Sequence, residues 1–314
     1  MGQQQAMGRH TGRCTMTLRE TRSPVDLFSG PGTFLKANLH SHTTESDGRL
    51  SPRDLVAFYR DAGYGLVAIT DHGRFTDARS ESDDRICVLP GQECHPGKNR
   101  LGHAHHVLAL GVGRWIESTS ADRPEETLAE IADGAALAFM AHPYWHGCES
   151  EELLDLDGWL GIEVFNTTCA VGICKGDSSV HWDEILASGR RATALAVDDC
   201  HRPPLDALQG WVQVKVAEPG PGAALAALAA GAFYASTGPE IRGIEADGQR
   251  LIVRCSPARQ VSLVSCGPSG HVVVPNPGGC LEEAVLDLGA AAAYWRVVVT
   301  DHEGRLAWTN PGFV

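Results

Sequence analysis

The stretch GTFLKANLHSHTTESDGRLSPRDLVAFYRDAG, residues 32 to 63, reads as one strand, one polar loop and one helix. The apolar part of the strand gives way to His40 and His42, and a spacing of two on extended chain points both imidazoles to one face. Asp47 and Gly48 follow in a polar turn. Ser51 can then N-cap a helix, Pro52 suits its first position and Asp54 completes a capping-box spacing. Leu55, Phe58, Tyr59 and Ala62 make one apolar stripe, which Gly63 ends.

The same alternation runs on through the chain. GLVAITDHG, RICVLPGQE, HAHHVLALGV, ALAFMAHPYW, GWLGIEVFN, ATALAVDDCH and WVQVKV read as strands, while RPEETLAEIADG, HWDEILASG and the Ala-rich GAALAALAAGAF read as helices. Strands alternating with helices predict an α/β fold with a parallel sheet closed into a barrel. After about Pro239 only short alternating strands separated by Gly, Pro and Asp turns remain, which predicts a small antiparallel β-sandwich domain. The opening, rich in Gln, Arg and Thr, reads as a loose arm. The expected organisation is an arm over residues 1–32, a barrel over 33–238 and a β-domain over 239–314.

Composition bounds the function. The chain has 314 residues, 43% of them hydrophobic, enough for one barrel with an appendage. A formal net charge of −13 without a Lys/Arg run argues against nucleic acid as a partner. A small anionic substrate stays open, because bound cations can reverse a local field. No apolar run resembles a signal peptide or membrane span, and the ten cysteines form no Cys-x-x-Cys pair. Reduced thiols, a cytoplasmic location and no membrane partner are therefore expected.

Every apolar strand of the first part is read as ending in a potential metal ligand. His40, His42 and Asp47 are followed by His72 in AITDHG, Glu93 in VLPGQE, His106 before VLALGV, His142 in MAHPYW, and Asp199 with His201 in VDDCH. Strand ends converge at one mouth of a barrel, so residues distant in sequence meet there. Imidazole and carboxylate suit Zn²⁺, Mn²⁺ and Fe²⁺. His103 and His105 compete with His106 for one inward position, since His105 and His106 face opposite sides of a strand.

In this order, HSHTTESDG, ITDH, GQE, HVL, AHP and DDCH resemble the PHP (polymerase and histidinol phosphatase) metallohydrolases. FYASTGP and the ending VVVTDHEGRLAWTNP resemble the CehA/McbA-like branch of that family. The resemblance spans roughly Lys36 to Val314 and implies a distorted (β/α)7 TIM-like barrel. It also implies up to three divalent ions (Mn²⁺, Zn²⁺ or Fe²⁺). His40, His42, Glu93 and Asp199 would hold the first, and Glu93, His106 and His142 the second, with Glu93 bridging. Asp47, His72 and His201 would hold the third.

Two close cations lower the pKa of a shared water, and a third can neutralise substrate charge. The favoured reaction is hydrolysis of a small phosphate mono- or diester by a metal-bridging hydroxide held by Glu93, His40, His42 and Asp199. Hydrolysis of a carboxylic ester, carbamate or amide is the alternative, and a noncatalytic metal-binding regulatory module is a third reading that the complete ligand set opposes. Arg74, Arg202 and Asn166 are candidate substrate contacts, although Asn166 could equally cap a turn. Glu163 ends the same strand as Asn166, and Tyr144 and Trp145 could wall the pocket. His95, His146 and His181 read as ordinary surface or loop histidines. Cys200 alternates away from its two ligand neighbours and reads as a buried structural thiol.

Overall fold

The computed structural model describes residues 22–119 and 121–314. The unit at residues 32–63 folds as its sequence predicts: a strand, a loop and a helix at Pro52–Asp61, with the Ser51 side chain accepting from the Asp54 amide. The wall of the site is built from β1 (Thr33–Asn38), β2 (Leu66–Ile69), β3 (Cys87–Cys94), β4 (Val107–Leu110), β5 (Leu137–Met140), β6 (Gly161–Asn166) and β7 (Thr193–Val197), neighbours in that order. The two edges meet just past the strand ends, where Asp199 N donates to His40 O at 3.0 Å and His42 N to Cys200 O at 2.9 Å. Helices at Pro52–Asp61, Pro124–Asp133, Ser179–Ala187 and Pro221–Ala229 flank the sheet.

The sheet is not wholly parallel. β1, β2 and β3 run parallel, as do β5, β6 and β7, but β4 is antiparallel to both of its neighbours. No helix lies between β3 and β4. A parallel return needs a crossover, usually helical, so the chain turns straight back instead. The N-terminal end of β4 therefore sits at the mouth with the C-terminal ends of the others: Val107 pairs with Cys94 and with Met140. His106 reaches the mouth by preceding a strand rather than by ending one.

β8 (Trp211–Val216) pairs antiparallel with β1, and β9 (Phe233–Ser236) with β8. β9 carries the sheet onward. The remaining strands are β10 (Ile241–Asp247), β11 (Arg250–Ala258), β12 (Gln260–Ser265), β13 (Gly270–Val273), β14 (Leu281–Asp287), β15 (Tyr294–Thr300), β16 (Leu306–Thr309) and β17 (Gly312–Phe313). β16 joins β9, continuing through β15 and β12 to β13, while β10, β11 and β14 form a separate antiparallel sheet. Buried alternate residues join the two layers: Leu251, Val253 and Cys255 of β11 belong to the same core as Val261, Leu263, Val297 and Val299.

The expected loose arm is ordered over the part described. Residues 1–21 lie outside the described residues, but Pro24–Phe28 is a helix with Leu27 buried. The Lys215 ammonium donates to the carbonyls of Leu27, Ser29 and Gly30 at 2.8 to 3.2 Å, satisfying the helix C-terminus. TTCAVGI is a helix at Thr167–Ile173, and Asn166 caps it. No helix among the described residues is long and apolar enough to cross a membrane, and every described cysteine is free.

Candidate metal centre

The loop after β1 is the first layer of the site. Asp71 is buried and accepts from the Thr43 amide and from the hydroxyls of Thr43, Ser46 and Thr76 at 2.6 to 2.8 Å. This pins the turn that presents Asp47. Gly48 packs so tightly on the His42 carbonyl that a Cβ there has no room. Beside this loop, just past β7, buried Asp198 accepts from Tyr59, Thr167 and the amides of Leu208, Gln209 and Gly210. Asp198 is thus consumed in holding a loop, and Asp199, at φ +55°, faces the site instead.

Around this frame the nine sequence-predicted ligands come together. The Nε2 atoms of His40 and His42 are 3.0 Å apart, and Asp199 Oδ1 lies 3.2 and 3.0 Å from them. Glu93 is fully buried and divides its carboxylate between two groups. Its Oε2 is 3.4 Å from both of those nitrogens, while its Oε1 is 2.6 Å from His106 Nδ1 and 3.3 Å from His142 Nε2. Asp47 Oδ1 lies 3.6 Å from His72 Nε2 and 3.4 Å from His201 Nε2. Of the three histidines competing in HAHH, only His106 turns inward. His103 is exposed, and His105 is buried with its Nδ1 3.7 Å from Cys148 Sγ.

Glu163 supports the ligands from behind. It accepts from His40 Nδ1 at 2.6 Å, from the His142 amide at 2.9 Å and from Asn166 Nδ2 at 2.9 Å. Asn166 Nδ2 also donates to Asp199 Oδ2 at 3.1 Å, and its oxygen accepts from the Cys169 amide. Both polar ends of Asn166 are therefore used inside the protein, where it positions Asp199 and caps a helix.

The electrostatics follow from this crowding. Burial disfavours charge on His40, but Asp199, Glu163 and Glu93 outweigh it and hold its pKa well above the usual imidazole value. Burial leaves His42 and His106 lowered to about 4 despite neighbouring carboxylates. Burial opposes ionisation of Glu93 and Asp199, yet surrounding imidazoles keep both below the usual carboxylate range. Four buried atoms of the centre, His42 Nδ1, Glu93 Oε2, His142 Nδ1 and Asp199 Oδ1, have no hydrogen-bond partner. Neutral imidazoles and ionised carboxylates with unpaired buried lone pairs are what divalent cations require. The donor set fits them.

A cavity of about 500 Å³ opens above the centre. Asp47, His72, His106, His142, Asp199 and His201 form its floor, and Arg49, Arg202, Trp145, Thr168 and Cys169 its wall. Arg202 is where the sequence predicted a substrate contact. Arg74 is not: it is exposed, pairs with Glu45 at 3.0 Å and does not line the cavity. Arg49 was missed, because nothing in GRL marks it.

Two histidines read as surface residues also belong near the centre. His146 is buried 5.7 Å from the His106 ring, and burial pushes its pKa to about 2. His95 Nε2 lies 3.1 Å from His72 Nδ1 and 3.8 Å from Glu93 Oε2. The signal for His95 was present: Glu93-x-His95 repeats the spacing of His40-x-His42 and Asp199-x-His201. His181 is half-buried on the helix at Ser179–Ala187 and stands apart from the centre.

No family model matches the sequence, and no curated protein matches it. Among solved structures, one similar fold is a two-domain protein from Bacteroides vulgatus containing a predicted PHP-like metal-dependent phosphoesterase. It has 15% identity and a TM-score of 0.53, covering 94% of this chain and 98% of that one. An amidohydrolase from Chromobacterium violaceum, with bound sulfate and no metal, aligns at 18% identity over 54% of this chain and 89% of its own, with a TM-score of 0.43. The strand order, the antiparallel second layer and nearly full mutual coverage with the Bacteroides protein lead to one conclusion: the chain has the fold of a two-domain PHP-like protein.

Proposed function

We propose that this protein is a metal-dependent phosphoesterase of the PHP family that hydrolyses a small phosphate mono- or diester. The observation that carries the reading is Glu93, whose two oxygens face two separate groups of imidazoles across a buried centre. In this reading the barrel at 33–238 is a distorted (β/α)7 unit, the domain at 239–314 completes its wall, and the nine ligands form three seats. His40, His42, Glu93 and Asp199 make one, Glu93, His106 and His142 another, and Asp47, His72 and His201 the third.

Bound divalent cations supply a water of lowered pKa and neutralise charge on the substrate. The chain's own residues do the rest. Glu163 and Asn166 keep His40 and Asp199 aimed at the centre. Arg49 and Arg202 offer guanidinium donors on the cavity wall, where an ionised ester would lie. Trp145, 5.2 Å from the His142 ring, shields that side from water. Cys169 reaches the cavity, but burial raises its thiol far above neutrality, which opposes a covalent route through sulfur.

The test is a panel of phosphate mono- and diesters beside carboxyl esters, carbamates and amides, assayed with added Mn²⁺ or Zn²⁺. Turnover confined to phosphate esters and abolished by chelation is expected. Turnover confined to carboxyl compounds would replace the reading, and metal loading without any turnover would leave a regulatory module.

A further inference from the structure

Glu93-x-His95 is the third ligand-type pair at a spacing of two, and it straddles the C-terminal end of β3. Three observations meet there. His95 Nε2 is 3.1 Å from His72 Nδ1 and 3.8 Å from Glu93 Oε2. Glu93 Oε2 is 2.7 Å from His72 Nδ1, and this oxygen is buried without a hydrogen-bond partner. The His95 ring packs edge-on to His106 at 4.4 Å, which orients its Nε2 inward. One imidazole nitrogen from each histidine and one carboxylate oxygen thus form a compact donor set that shares His72 and Glu93 with the nine-ligand pattern and adds His95 to it.

We propose that His72, Glu93 and His95 form a further divalent-cation seat, with His95 as a tenth ligand. The inference rests on the metal-centre reading above. The two donors of His72 serve different seats: Nε2 faces Asp47 at 3.6 Å, and Nδ1 faces Glu93 and His95. A neutral imidazole has a single lone pair for a metal, so His72 serves one seat at a time. Asp47 Oδ1 stands 3.6 Å from His72 Nε2 and 3.4 Å from His201 Nε2, near the ligand separations of a tetrahedral ion, and these three form the tighter seat. The inner seat, at 2.7 to 3.8 Å, needs a small rotation of His72 and is the weaker one. It fills when the outer seat is disabled.

The test counts Zn²⁺ in the full-length protein. Asp47→Asn/His201→Gln removes the outer seat, and the same variant carrying His95→Leu removes both. After equilibration with Zn²⁺ and gel filtration, elemental analysis is expected to give one equivalent more in the first than in the second. The extra ion should bind at least tenfold more weakly than the third ion of the unmodified protein, by chelator competition. Equal counts in the two variants would overturn the inner seat while leaving the nine-ligand reading intact. A wild-type protein that retains no Zn²⁺ would overturn both. Should the double change impair folding, Asp47→Asn alone, which alters a mostly exposed carboxylate, gives the same comparison with and without His95→Leu.

Discussion

Glu163 Oε1 lies 2.6 Å from His40 Nδ1, with both side chains wholly buried. A carboxylate on one imidazole nitrogen fixes the tautomer and turns the other nitrogen, Nε2, toward Asp199 and Glu93. Glu163→Gln removes that charge and is expected to weaken divalent-metal affinity by about 10- to 100-fold with the fold retained. Chelator competition measures it, and an unchanged affinity would show that Glu163 has no part in orienting the ligand.

Glu93 is shared, so its loss should dissolve two seats together. Glu93→Ala and His40→Ala are expected to abolish hydrolysis while far-UV circular dichroism stays near wild type, with Glu93→Ala retaining less than two equivalents of metal. Cys200 is the control. It packs in the outer core with Tyr59, away from the centre, and burial drives its thiol well above the usual range. Cys200→Ser should keep most of the activity. A dead Cys200→Ser beside an active Glu93→Ala would require another mechanism.

Asp47 separates the reaction classes. Its side chain is 58% exposed beside His72 and His201, outside the pair of groups that Glu93 joins. An ionised phosphate ester needs more charge neutralised than a neutral carboxyl ester does. Asp47→Asn is expected to lower kcat/KM for phosphate esters by about a hundredfold or more, roughly one lost electrostatic stabiliser. Carboxyl-ester turnover, measured on the same metal-reconstituted sample, should fall much less. A loss confined to carboxyl esters would contradict the phosphoesterase assignment.

Metal loading and metal-free stability should depend on pH in opposite directions. Burial disfavours charge on His40 and His142, but neighbouring carboxylates raise both pKa values in the metal-free protein. A folded-state pKa above the unfolded one contributes stability that is full below about pH 6.5 and is lost as pH rises through the raised value. Cations instead need these rings neutral, so their binding releases protons and strengthens over the same rise. Thermal melts in chelator should therefore show Tm falling above about pH 6.5, while the gain from added Mn²⁺ grows. A metal-induced gain that shrinks with rising pH would contradict the assigned protonation.

β15 is tied to the helix Ser179–Ala187 by a partly buried ion pair. Arg296 of β15 donates to Asp183 at 2.9 and 2.7 Å and stacks over Trp182 on the helix Ser179–Ala187. Tyr294 OH donates to the same carboxylate at 2.9 Å. Asp183→Ala would leave a buried guanidinium unpaired. Because Asp183 is about one-third exposed, the expected loss is about 2–3 kcal/mol, below that of a fully buried pair. Urea unfolding measures it, and a change under 0.5 kcal/mol, on the order of an ordinary surface substitution, would show the pair to be dispensable.

Local periodicity in the sequence determined the strand–loop–helix unit at 32–63, the helices at Pro124–Asp133, Ser179–Ala187 and Pro221–Ala229, and the antiparallel character of the last 75 or so residues. It also singled out the nine candidate ligand positions, because spacing along a strand and position at the end of an apolar run are properties of the chain itself. Strand direction was not local. β4 carries the same apolar pattern whether it runs parallel or antiparallel, and only the lack of a helix before it forces the return that delivers His106 to the mouth. The commitments of individual side chains were likewise tertiary. Asp198 and Asp199 are chemically identical neighbours, and partners from Tyr59, Thr167 and the 208–210 loop decide that Asp199 is the one left for the centre. The placements of Arg74, His95 and His146 were not legible for the same reason, and the sequence leaves open the choice for Asn166 between cap and substrate contact: what a polar side chain faces depends on what distant strands place beside it.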